Sequence, residues 1–379
     1  MADSDVLIVG GGVIGLSIAR ELHRKGVGRI TILERESIGR EASYAAAGML
    51  APNAENDTHD DFYDLCSASC SMYPNFAAEL LSETDVDIEL ERSGTLYLSL
   101  NEEDSKDMNA RYLWQREAGV AVRHLSAMET LKAEPFISPA VRESLFYTND
   151  WQVENRNLLT ALRRYADLNE IEIREETDVL SLIAEDGKVV GAATAVETFF
   201  AGKTVLATGA WTSFIKIADA PVPVDVKPIR GQMISFHPPE KMFRKVIHCP
   251  RGYLVSRSDG RILAGATVED AGFDRSTTKA GTAQLLAAAV EISPGLSSFD
   301  ITDTWAGLRP FAAGGLPVLG EVPGAENLFI ATAHFRNGIL LAPITARIIC
   351  EKIVSGISSK YLDIFGIDKR QLKTLDAKG

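Results

Sequence analysis

Several residues in this chain have the type and spacing to do chemistry. Gly10-Gly11-Gly12-Val13-Ile14-Gly15 directly follows the apolar run Val6-Leu7-Ile8-Val9, and Gly10, Gly12 and Gly15 fit the pattern G-x-G-x-x-G. In that pattern the first glycine permits a tight turn, the second lets a pyrophosphate approach the backbone, and the third lets the next helix pack close to the sheet. Val13 and Ile14 open that helix, whose free N–H groups and dipole favour an anion. Glu34 ends a second apolar run, Ile30-Thr31-Ile32-Leu33. A carboxylate about twenty residues after such a turn accepts hydrogen bonds from ribose hydroxyls and would repel a 2′-phosphate, which argues against NADP. Arg309 sits in the otherwise apolar stretch Gly307-Leu308-Arg309-Pro310. A charge there needs a partner, either a carboxylate of the protein or, through the guanidinium fork, the carboxylate of a ligand.

The elements around these residues follow from periodicity. A strand, helix, strand unit opens the chain. Helices are expected around Asp60 to Ser82, Glu102 to Ala118, Ser126 to Glu134, Asn155 to Leu168 and Thr278 to Ile292, and strands around Ser93 to Leu100, Val141 to Tyr147, Ile171 to Arg174, Val226 to His237, Gly252 to Arg257 and Arg261 to Gly265. Val179 to Ala184 and Lys188 to Ala195 read as a hairpin about Asp186-Gly187. Parallel-type α/β segments therefore occur at the start, middle and end, with antiparallel-type strands between them. A chain of 379 residues exceeds the roughly 100–200 of one domain, so two discontinuous domains are expected.

Composition narrows the function classes. A net charge of −13 repels a phosphate backbone, so nucleic acid is not an expected partner. Cys66, Cys70, Cys249 and Cys350 are too few and scattered for a disulfide framework. Cys66 and Cys70 lack a second ligand pair, so no metal is expected. The apolar stretch after Asp3 and Asp5 lacks the basic start of a signal peptide. No run reaches the roughly 18 uncharged residues of a membrane span, so no stable membrane insertion is expected. The reading is of a cytoplasmic protein, with a homo-oligomeric assembly expected.

Three further segments favour FAD over NAD. Ala42-Ser43-Tyr44-Ala45-Ala46-Ala47-Gly48-Met49-Leu50 is a run of small residues shortly after Glu34 and Arg35, suited to backbone lying flat against a large planar ligand. Lys203-Thr204-Val205-Leu206-Ala207-Thr208-Gly209 is a strand closing in a Thr-Gly turn into a helix. Leu328-Phe329-Ile330-Ala331-Thr332-Ala333 is another strand, and it leads through His334-Phe335-Arg336-Asn337-Gly338 into a helix reaching about Ile353. A helix start there directs N–H groups at an electron-rich ring edge.

With Trp305-Ala306-Gly307-Leu308-Arg309-Pro310 and His334-Phe335-Arg336-Asn337-Gly338-Ile339-Leu340-Leu341-Ala342-Pro343 added, the sequence resembles the glycine oxidase and D-amino acid oxidase family of flavoproteins over nearly its whole length. The nearest likeness is to the branch serving bacterial thiamine biosynthesis. The resemblance implies an α/β fold: a Rossmann-like FAD-binding domain of residues 1–88, 149–222 and 302–379, and a second α+β substrate domain of residues 89–148 and 223–301 on a mostly antiparallel sheet. It implies that Arg309 clamps a substrate carboxylate, that the Tyr253 hydroxyl assists, and that Arg336 meets substrate or reduced flavin. Pro250 and Arg251 lie where relatives carry histidine, which leaves the pocket's polarity open. The expected cofactor contacts are Gly10, Gly12, Val13, Ile14, Gly15, Glu34, Arg35, Ala42, Ser43, Ala47, Gly48, Met49, Val179, Gly209, His334, Phe335, Arg336, Asn337, Gly338, Ile339 and Leu340. His334 reads as a hydrogen-bonding loop residue, and His23, His59, His124, His237 and His248 as surface or satisfied core. No cysteine lies between Phe335 and Leu341, so the FAD is expected to be non-covalent. The implied activity is oxidative deamination of glycine or small D-amino acids, with sarcosine as another candidate and dioxygen reduced to hydrogen peroxide. Three rival readings are a D-amino acid dehydrogenase passing electrons to a quinone or carrier, an NAD-dependent dehydrogenase, and a non-catalytic flavin- or nucleotide-sensing module.

Overall fold

A computed structural model describes residues 3–367; the ends of the first expected domain, residues 1–2 and 368–379, lie outside the described residues. Two large sheets organise the chain. The first has ten strands. Its parallel centre places Leu328–Thr332, Thr198–Leu206, Ser4–Val9, Ile30–Leu33 and Glu172–Arg174 side by side. Ser4–Val9 is covered on both faces, which explains its unbroken apolar run. Helices Val13–Arg24, Asp61–Thr84, Asn155–Leu168 and Gly338–Ser355 pack together on one face in a single core with Ile8, Ile32 and Val205. The hairpin Val179–Glu185 and Lys188–Thr194 turns on Asp186 and Gly187 at φ 48° and 78°, the positive values that a two-residue type I′ loop requires. The Thr208-Gly209 turn leads into the 3₁₀ helix Gly209–Phe214 rather than an α-helix.

The second sheet has eight strands: Asp303–Phe311, Lys227–Phe236, Ile262–Gly265, Gly252–Ser256, Val246–Cys249, Thr95–Ser99, Glu143–Tyr147 and Val122–Ser126. Every neighbouring pair is antiparallel except Val246–Cys249 with Thr95–Ser99. Helix Lys279–Ile292 packs on this sheet through Leu285, Ala289 and Ile292. Asp303–Phe311 pairs along nine positions with Lys227–Phe236. The second sheet thus takes a strand from beyond residue 301, at the point where the chain returns to the first sheet.

Polar links join the halves, among them the following three. Buried Arg257 donates to the carbonyls of Ala47 (2.8 Å) and Val153 (2.7 Å) and to Asn155 Oδ1 (3.0 Å). Trp305 Nε1 donates to Ala45 O at 3.0 Å. Arg275, in the loop after the Ile262–Gly265 strand, bridges to Glu36 and Glu41. Among the described residues no helix is long and apolar enough to cross a membrane.

Candidate active site

The parallel strands end on one edge of the first sheet, and three loops leave it there: Gly10–Gly12, Ala207–Gly209 and Ala333–Asn337. At Gly10 (φ 107°) a Cβ would stand 2.4 Å from Ala207 O, so only glycine can make the turn beside the neighbouring strand. At Gly15 a Cβ would stand 2.0 Å from Gly10 O, so helix Val13–Arg24 can start this close only with glycine. At Gly12 the nearest atom, Ser43 Oγ, is at 3.4 Å, and the space beyond belongs to a deep cavity. The helix has no acidic residue in its first turn. Glu34 accepts from Gly11 N–H at 2.8 Å and from Glu36 N–H at 3.1 Å, which fixes its carboxylate at the cavity wall.

The small-residue segment crosses from this edge toward the second sheet. Ser43 Oγ accepts from Val13 N–H at 3.1 Å, and Asn155 Nδ2 holds the carbonyls of Ser43 and Tyr44. Gly48 (φ 67°) would drive a Cβ into Val153 O at 2.1 Å. Gly307, in the second sheet, would meet Ala45 Cβ at 2.5 Å, so the Ala42–Ala45 turn rests directly on that strand.

The second sheet forms the far wall. Tyr253, Gly265, Met233 and Trp305 are cross-strand neighbours in one row, and Gly231 faces Gly307 in the next. A Cβ at Gly265 would lie 2.5 Å from Tyr253 Oη, and one at Gly231 would lie 2.3 Å from the Arg309 guanidinium carbon. Both polar side chains therefore lie flat over glycines. Arg309 donates to Thr267 O at 3.0 Å, and no described carboxylate pairs with it. Among the described residues no ion pair to a protein carboxylate is formed by this charge. Burial, with the Arg336 charge adding to it, lowers the Arg309 pKa, while Tyr253 and Glu55 act the other way. Burial pushes the Tyr253 hydroxyl up to about 12, so it is a neutral donor.

One cavity collects nearly all the expected contacts: Gly10, Gly12, Val13, Ile14, Glu34, Arg35, Ala42, Ser43, Ala47, Gly48, Met49, Val179, Gly209, His334, Phe335, Arg336, Gly338 and Ile339, together with Tyr253 and Arg309. Gly15, Asn337 and Leu340 are not among its lining residues. Gly15 serves helix packing, Leu340 is core, and Asn337 is the buried residue preceding helix Gly338–Ser355. Pro343 in that helix has no N–H for the Ile339 carbonyl, and the Tyr73 hydroxyl donates to it instead. Burial lowers His334 to about 3, and its Nε2 contacts Thr345 Oγ1 at 3.1 Å, so the ring is neutral.

Sequence reasoning missed several lining residues. His248 is not a surface or satisfied core residue: it lines the cavity, stacked on Tyr97 at 5.2 Å between ring centres, and its buried Nδ1 has no hydrogen-bond partner. Burial, with Arg111 and Arg336 nearby, lowers it to about 3. Met233, Gly231 and Glu55 also line the cavity. A glycine inside a strand is the available signal for Gly231, because it marks close approach of another group. Arg251 lines the cavity, but both its terminal nitrogens are committed to Asp104 at 2.7 Å and its Nε to Glu291 at 2.9 Å. It is not a second free cation for a ligand.

Residues 5–352 match the family described as DAO, FAD dependent oxidoreductase. A glycine oxidase of Pseudomonas aeruginosa is 32% identical over 355 residues, covering 93% of this chain and 94% of that protein. The crystal structure of glycine oxidase from Geobacillus kaustophilus matches with TM-score 0.92 and 31% identity, over 97% of this chain and 99% of that one. Iminodiacetate oxidase from Chelativorans sp. BNC1 matches with TM-score 0.85 and 25% identity, over 96% of this chain and all of the other.

Proposed function

Because the chain belongs to the DAO family of FAD-dependent oxidoreductases, we propose that it oxidises the amine of glycine or another small amino acid, with FAD as a non-covalent cofactor. The observation that carries this reading is Arg309: a guanidinium without a protein carboxylate, laid over Gly231 in the cavity that also takes in the Gly10 turn. A small acid is the ligand such a charge selects, since guanidinium and carboxylate match in two parallel hydrogen bonds.

The residues present suit the cofactor. The first helix offers N–H groups and no acid to a pyrophosphate, Glu34 offers a carboxylate to ribose hydroxyls, and the space beside Gly12 is open. FAD bound there would take up the two electrons of the amine oxidation and pass them to dioxygen, giving hydrogen peroxide. The protein's own part is to bind and orient. Arg309 fixes the carboxylate, the Tyr253 hydroxyl donates to it, and the alanine and glycine wall at Ala45 to Gly48 lets the Cα–H approach without a side chain between. Holding the reactants in one geometry supplies much of the rate. No protein base is required, because the amine reacts in its neutral form. Fixing the carboxylate and aiming one Cα–H at the flavin selects one hand, and the likeness to glycine oxidase makes it D, so D-alanine should be favoured over L-alanine. The released imine hydrolyses to the oxo acid and ammonia.

We keep the two-domain division as part of this proposal, amended so that residues 303–311 belong to the substrate domain. A cytoplasmic location and a homo-oligomer complete it. The deciding experiment is a spectrum of the purified protein followed by oxygen uptake and peroxide release with glycine, sarcosine, D-alanine, D-proline and D-aspartate. Yellow protein that releases FAD on denaturation and consumes oxygen with a small amino acid is expected. A protein that cannot bind FAD overturns the reading, and flavin reduction without oxygen uptake replaces the oxidase with a dehydrogenase.

A further inference from the structure

Glu55 is the last residue of the short helix Pro52–Glu55 and lines the same cavity as Arg309 and Tyr253. Among the described residues its carboxylate makes no hydrogen bond or ion pair. It acts electrostatically on both partners of the clamp, favouring the charge of Arg309 and opposing ionisation of Tyr253. The single turn that carries it offers its carboxylate no partner of its own. The turn carrying it is held by several polar groups. Asp150 accepts from Asn53 N, Asn53 Nδ2 and Ala54 N at 3.1, 2.6 and 2.8 Å. Tyr63 donates to Asn53 Oδ1 at 2.8 Å, and Gln115 to Asn53 O at 2.8 Å. Arg111 gathers the carbonyls of Ala54 and Asn56. These contacts fix the backbone on both sides of Glu55 and leave its side chain free to meet a ligand.

We propose that Glu55 binds the positively charged nitrogen of the substrate, so that the cavity recognises both ends of a zwitterion, and that it is thereby the residue that selects amino acids over simple carboxylic acids. This rests on the reading that an amino acid is held by Arg309. A carboxylate bound to Arg309 carries its amine one carbon away, at the wall where Arg309 and Arg336 supply positive charge and Glu55 is the acid that acts on both Arg309 and Tyr253. Glu55 is placed to receive the ammonium form, the dominant form of an amino acid at neutral pH, which gives up one proton to solvent before the neutral amine is oxidised. Simple acids such as acetate fit the same guanidinium but gain nothing from Glu55 and are repelled by it. A substrate with a second carboxylate is disfavoured for the same reason.

The test uses the FAD-loaded enzyme and the variant Glu55→Gln, which keeps size and shape and removes the charge. Two constants are compared at constant pH: KM for the small amino acid the wild type oxidises best, and the competitive Ki of acetate. The expected result is a KM raised roughly tenfold or more, as when one side of a charge-assisted hydrogen bond becomes neutral. kcat should change less than KM, and the Ki of acetate should be unchanged or lower. A parallel rise of both constants, the mark of a distorted cavity, overturns the proposal. So does a KM that stays near the wild-type value. Failure of the underlying reading looks different, since the wild type itself would then oxidise no amino acid.

Discussion

Replacing Gly231 with alanine would put a methyl group where the Arg309 guanidinium lies. The Cβ would stand 2.3 Å from Cζ and Nη2 and 2.4 Å from Nη1. Carbon contacts settle at about 3.5–4.0 Å, so the guanidinium must shift by more than about 1 Å. Gly231 is in a strand and outside the positive-φ region, so alanine fits the backbone and stabilises by reducing the freedom of the unfolded chain, by about 0.4–1 kcal/mol in favourable cases. The obstruction is the far end of a flexible side chain, which can move aside without unfolding the sheet. A displacement of about 1 Å at a substrate-positioning group costs roughly 100-fold, or about 2.7 kcal/mol. Gly231→Ala should therefore keep its FAD content and Tm while kcat/KM for the preferred amino acid falls about 100-fold. Adding Arg309→Ala to Gly231→Ala should lose much less than the two single losses combined, because both act on one contact. A kcat/KM within about threefold of wild type would refute the reasoning, as would two fully additive losses.

Arg309→Ala should lose about 2–5 kcal/mol of transition-state binding for amino acids; Arg309→Lys should also be impaired because a point charge cannot make the forked contact. If kcat/KM survives Arg309→Ala but not Arg336→Ala, the clamp is Arg336. Glu34→Ala should weaken FAD binding by about 1.5–3 kcal/mol, read as the FAD dissociation constant; an unchanged value would reduce Glu34 to a support for the Gly11 and Glu36 N–H groups. Burial raises the Asp150 carboxyl from 3.8 to about 7 against three N–H donors. A folded pKa above the unfolded one gives a stability contribution complete below about 4 and lost as pH rises to about 7. The stability of wild type relative to Asp150→Asn should thus fall across that window in denaturant unfolding and be level above it. A difference that rises with pH would contradict the assigned protonation.

The sequence by itself determined the elements and the nucleotide end of the cavity. Helix Asn155–Leu168 and strand Ile30–Leu33 fall on the predicted residues, because strongly periodic or continuously apolar runs have one way to be buried. The Gly10 turn and Glu34 were legible because their contacts are local: the whole strand, turn, helix and strand unit lies between Ser4 and Leu33. Strands Val246–Cys249 and Val318–Glu321, which lack the unbroken apolar run of Ile30–Leu33, carried too little pattern to be seen.

Tertiary structure decided the far wall. Arg309 was visible in sequence as a charge in apolar surroundings, but whether a protein carboxylate answers it depends on strands far away in the chain, and among the described residues none does. That Gly231 and Gly265 make room for Arg309 and Tyr253 is a matter of sheet register, which pairs Gly231 with Gly307 and Gly265 with both Met233 and Tyr253. His248 and Glu55 had no local signature, since a lone histidine or glutamate reads the same at a surface as in a cavity. Arg251 left the pocket's polarity open in sequence, and Asp104, 147 residues away, settles its pairing. In each case the physical reason is the same: a side chain's charge and type are fixed by the sequence, but its partners, and so its chemistry, are set by non-local packing that no window of sequence contains.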